Sequence, residues 1–80
     1  MRKKSVFSVV SDIIKDHDCT NPEVKLSTTL YHNLNFDDLD MFVITQTIEW
    51  HYNIDIEDED YDKFETVKDI VDYLKERGLK

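Results

Sequence analysis

The sequence predicts an all-α domain, a four-helix bundle with three longer helices, one short helix and a long loop after the first. Three observations carry that expectation. One glycine and one proline in 80 residues give too little turn punctuation for a strand-rich domain of this size. Apolar residues recur at three- and four-residue spacing in well-separated stretches. Residues suited to helix caps stand in front of those stretches.

The first helix is expected from Val6 to about Asp16, because Val6, Phe7, Val9, Val10, Ile13 and Ile14 fall on one helical stripe. Ser5 is its N-cap, with a hydroxyl able to accept a free N–H of the first turn. The many β-branched residues mean that packing, more than propensity, must hold this helix. Residues 16–29 are polar and include Asn21-Pro22, so they read as a loop, with Val24, Leu26, Leu30 and Leu34 as pegs fastening it to the core.

Asp37, with Asp40 three positions on, caps a second helix from about Asp38 to Tyr52. Leu39, Phe42, Ile44, Ile48 and Tyr52 are expected to face inward, with Asp40, Gln46 or Thr47, and Glu49 facing water. Asn53-Ile54-Asp55-Ile56 ends this helix, and Asp58 starts a short third one. Thr66-Val67-Lys68-Asp69 is a capping box with Asp in place of Glu, leading into the stripe Val67, Ile70, Val71, Tyr73 and Leu74. Arg77 and Gly78 suit the last turn and the C-cap.

Residues 1–80 are expected to form one domain, with 1–4 a flexible basic terminus, and a core that buries a little over half of the unfolded surface. The formal net charge is −8, and most basic residues lie at the two ends, leaving a strongly acidic middle. Such a surface repels phosphate backbones and anionic headgroups, so nucleic acid and membrane are disfavoured and a protein partner with a basic patch is favoured. A monomer is expected. Cys19 has no second cysteine to pair with, which fits a reducing, cytoplasmic setting. The segment after Met1-Arg2-Lys3-Lys4 meets Ser8, Ser11 and Asp12 before a long apolar run accumulates, so it does not read as a signal peptide, and no run reaches membrane-spanning length.

Asp37, Asp38 and Asp40 have two readings. Clustered carboxylates can shift one another's pKa and serve a metal or a catalytic step. Acids at a helix start also simply cap it and complement its dipole, which is the favoured account. The acidic run from Asp55 to Asp62 lacks the glycine and spaced ligands of a calcium loop and reads as a solvated face. His17, Cys19, His32 and His51 follow no metal-ligand spacing, and no nucleophile–base pair or cofactor loop supports an enzyme. Trp50 is either an exposed anchor for a partner or a residue lying under the long loop. Val43 and Trp50, seven apart on one face, form a small apolar strip if both are exposed.

Leu34-Asn35-Phe36-Asp37-Asp38-Leu39-Asp40 resembles the acyl-carrier-protein signature Leu-Gly-x-Asp-Ser-Leu-Asp. The resemblance runs from about Leu30 to Leu74, with Ile56, Phe64, Thr66, Val67, Ile70, Tyr73 and Leu74 on positions that close the family's core. It implies the carrier bundle and explains the long first loop. It also implies a phosphopantetheine arm on a serine, but Asp38 occupies that position, so no cofactor is expected. Asn35 replaces the signature glycine, and Thr45-Gln46-Thr47 places polar groups where relatives are mainly apolar. Val43 stands where carriers commonly have an acid for docking basic enzymes. The implied function is a non-catalytic module binding a protein through Asp37, Asp38, Leu39, Asp40, Val43, Glu49 and Trp50. The alternative is a carrier of fatty-acid, polyketide or lipid biosynthesis whose modified serine has been replaced by Asp38.

Overall fold

In the computed structural model, residues 5–18 and 23–79 are described and form four helices in chain order: α1 (Val6–His17), α2 (Asp38–Tyr52), α3 (Asp58–Tyr61) and α4 (Val67–Glu76). The basic start Arg2-Lys3-Lys4, Cys19, the Asn21-Pro22 pair and Lys80 lie outside the described residues. No helix among the described residues is long and apolar enough to cross a membrane.

The local chemistry read from the sequence sets the helix starts. Ser5 Oγ accepts the Ser8 N–H at 3.1 Å, and Thr66 and Asp69 form a reciprocal capping box at α4. At the far end of α2, Asn53 takes a left-handed backbone (φ 56°) and the Ile54 N–H bonds the Glu49 carbonyl at 3.0 Å, which satisfies an orphan acceptor. Gly78 at φ +87° does the same for α4.

α1, α2 and α4 enclose a core in which Val6, Val10, Ile14, Ile44, Ile48 and Leu74 are completely buried. The long connection contributes Val24, Leu30 and Leu34 to that core as expected, but Leu26 is 44% exposed and is not a peg. What fastens this stretch is backbone bonding. Leu30 N–H donates to the Glu65 carbonyl at 2.8 Å, Val67 N–H to Thr28 at 3.0 Å and Lys68 N–H to Leu26 at 2.9 Å, tying the connection to the start of α4.

The inward face of α2 differs from the expected one. Ile44 and Ile48 are buried, but Leu39 and Phe42 are exposed, and Met41 and Thr45 take the inward places. A helix of 3.6 residues per turn with Ile44 and Ile48 at the core puts residues 41 and 45 beside them, and carries residue 39 to the opposite side. Of the polar trio Thr45-Gln46-Thr47, only Thr45 is fully buried, and its hydroxyl donates to the Met41 carbonyl at 2.8 Å.

Tyr52, expected inside, is half-buried, and its hydroxyl is enclosed without a hydrogen-bond partner among the described residues. Burial raises its pKa. A desolvated, unpaired hydroxyl costs about 1–3 kcal/mol, so Tyr52→Phe is expected to leave stability unchanged or raise it by up to about 1 kcal/mol. A lower midpoint of urea unfolding for the variant would contradict this.

Candidate functional site

The chain enters α2 through a tight corner. Asn35 is exposed and adopts φ 56°, a left-handed conformation that asparagine tolerates better than most side chains. Phe36 then turns into the core, and its N–H bonds the Leu30 carbonyl at 3.1 Å. These two contacts hold the next residue, Asp37, at the mouth of the helix.

Three carboxylates follow, each in a different environment. Asp37 Oδ1 accepts the Asp40 N–H at 2.9 Å while Asp40 Oδ2 accepts the Asp37 N–H at 3.0 Å, a complete capping box. The second oxygen of Asp40 accepts from His17 Nε2 at 2.8 Å, joining the last turn of α1 to the first turn of α2. The His17 ring also meets Phe36 edge-on, with centroids 5.5 Å apart. The Asp37 N–H, and after it His17, hold the Asp40 carboxyl below the usual carboxylate range. Asp38, the first residue of α2, is exposed, and its carboxyl makes no hydrogen bond to a described residue. Of the three, it alone is uncommitted.

Asp38 opens onto a cleft of about 450 Å³ between α2, α3 and the connection. Met41, Phe42 and Ile56 give that cleft its apolar lining, and Asp38, Glu49 and Asp62 supply its charge. Tyr31 and Tyr61 also line it, and the Tyr61 hydroxyl lies 3.4 Å from Glu49 Oε1. Partial burial, then the negative charges of Asp38 and Asp62, raise the Tyr31 pKa.

A family model described as the phosphopantetheine attachment site matches residues 7–74. The chain belongs to that family. It is similar to an acyl carrier protein of Bdellovibrio bacteriovorus, 33% identical over 75 residues that cover 92% of this chain and 96% of the relative. It is 34% identical to the acyl carrier protein of Clostridium acetobutylicum over 73 residues, 88% of this chain and 92% of the other. An acyl carrier protein of Coprothermobacter proteolyticus is 28% identical over 76 residues, covering 94% of this chain and 93% of its own length. The family's four-helix architecture is the one described above.

The seven residues singled out from the sequence do not form one patch on this family member. Asp37 and Asp40 are engaged in the cap, so reversing their charge would disturb the helix itself. Asp38 and Glu49 share the α2–α3 cleft. Leu39, Val43 and Trp50, at 70%, 40% and 87% exposure, lie along the ridge of α2 opposite the core. Trp50 is therefore an exposed residue and does not lie under the loop. Two participants were missed. The sequence places Phe42 in the core and offers His17 only as a metal-ligand or nucleophile–base candidate, because its bond to a residue 23 positions away leaves no local trace.

A phosphopantetheine arm is held by a phosphoester to a hydroxyl, and the residues here do not fit that group. The three polar side chains at the start of α2 are all carboxylates. No serine or threonine lies between Thr29, whose hydroxyl accepts the Asn33 N–H, and Thr45, whose hydroxyl donates to the Met41 carbonyl.

Proposed function

We propose that this chain is a non-catalytic member of the acyl-carrier family that carries no arm and acts as a protein-binding module through the acidic start and exposed face of α2. The observation that carries the reading is Asp38, which aligns with the serine of the Leu-Gly-x-Asp-Ser-Leu-Asp signature. Loading requires a hydroxyl to attack the pyrophosphate of coenzyme A, and a carboxylate cannot form the stable phosphodiester that results. The uncommitted carboxylate instead adds to an acidic face, alongside Glu49 and Asp62, suited to a basic patch on a protein partner. Binding of that kind weakens as salt rises.

The identity to named acyl carrier proteins supports a second reading, a carrier of fatty-acid, polyketide or lipid biosynthesis in which Asp38 has replaced the modified serine. Mass spectrometry separates the two. Incubated with coenzyme A and a broad-specificity phosphopantetheinyl transferase, the protein is expected to gain no mass, whereas a carrier otherwise intact gains one arm as Asp38→Ser. Covalent pantetheine on the unaltered chain would overturn the first reading. Failure of Asp38→Ser to load would remove the second.

A further inference from the structure

The flank of α2 opposite the cleft carries a separate feature. Two hollows, of about 280 Å³ and about 220 Å³, lie between α1 and α2 and share Ile13, Asp16 and Thr47, so they form one continuous furrow. Val9, Ile13 and Val43 supply its apolar lining, and Trp50, 87% exposed, stands at one end. We propose that this furrow is a docking face for one amphipathic helix of a partner protein, with an apolar stripe flanked by lysine or arginine. The inference rests on the reading of this chain as a protein-binding module and names the face and the partner's chemistry.

Geometry and charge both select that occupant. Val43 and Trp50 are seven residues apart, about 10.5 Å along the helix, which is the span of two turns and matches anchors at positions i, i+4 and i+7 of an apposed helix. The acids lining the furrow are Asp12, which already has a partner, and Asp16, one turn further along α1, and no lysine or arginine among the described residues lines it. Asp16 is exposed and pairs with no described cation. The histidines at its margin are His51 beside Trp50 and His17, which is bonded to Asp40. A second copy of this chain is a poor occupant, because each brings a net charge of −8 and the same aspartates would face one another. A basic helix meets Asp16 at the rim and places a large apolar side chain against the exposed indole, the arrangement that concentrates binding energy at a tryptophan.

The test uses the full chain and a synthetic amphipathic Leu/Lys helix, with a Leu/Glu helix of equal length as control, followed by nitrogen–proton correlation spectra. The Leu/Lys helix is expected to shift the Trp50 indole and the amides of Val9, Ile13 and Thr47. Trp50→Ala and Asp16→Lys, both at exposed positions, are each expected to weaken that binding roughly tenfold. Shifts confined to Asp38, Phe42 and Tyr61 would move docking to the α2–α3 cleft and overturn this inference while leaving the module reading standing. Equal binding of the Leu/Glu helix, unchanged affinity in Trp50→Ala, or self-association through the same residues would also overturn it.

Discussion

Leu30→Ala is expected to bring the protein close to its unfolding limit. Leu30 sits in the long connection but is fully buried in the core. Deleting a leucine side chain from such a site costs about 2–5 kcal/mol, through lost transfer energy and the cavity left behind. Stability for 80 residues is on the order of 4–12 kcal/mol, so that cost takes a large share of the total. Collapse around the vacated space is restricted, because the Leu30 N–H is bonded to Glu65 and its carbonyl to Phe36. The urea midpoint should fall steeply with the slope of the transition unchanged, and a midpoint near that of the unaltered chain would show the connection to be peripheral. Leu26→Ala, four residues earlier and 44% exposed, is expected to shift the midpoint little.

Acid should unfold the protein through its caps. Burial acts to raise the Asp69 pKa, but bonds from the Thr66 and Glu65 N–H groups outweigh it and leave the carboxyl below its ordinary value. Asp40 is depressed for the related reason that it accepts the Asp37 N–H and then the His17 ring N–H. A carboxyl with a lower pKa in the folded than in the unfolded state favours folding when ionised. That stability is fully present above the unfolded value of about 4 and is lost as pH falls through the depressed folded value. Chemical denaturation at a series of pH values should therefore show stability that is level with respect to these two groups near neutrality and declining below about pH 4. Asp69→Ala should cost about 0.5–2 kcal/mol at neutral pH and make the acid decline shallower, since its contribution is already absent. A decline of the same steepness in the variant would remove Asp69 from the explanation.

The legible and illegible parts of the sequence divide along the range of the interactions involved. Caps are local chemistry, so Ser5, Asp37 with Asp40, and Thr66 with Asp69 marked the starts of α1, α2 and α4 where the structure has them. The signature from Leu34 to Asp40 likewise located the corner that leads into α2. The buried side of α2 was not legible, because Leu39, Met41, Phe42, Val43, Ile44, Ile48 and Trp50 spread apolar character around most of its circumference. Only the assembled core decides that Met41 and Thr45 turn inward and Leu39 and Phe42 outward. The His17–Asp40 bond and the two unlike flanks of α2 depend on the same assembly.

The backbone bonds between the connection and the start of α4 give two distant stretches a common fate. A protease must draw several residues into an extended, unpaired conformation before it can cut, and here the amides of Leu30, Val67 and Lys68 have to be released first. Nicking between Leu26 and Leu34 will therefore track fraying of the first turn of α4 and not the length of the exposed loop. The stretch from Leu26 to Leu34 behaves as a clasp that opens only with the final helix.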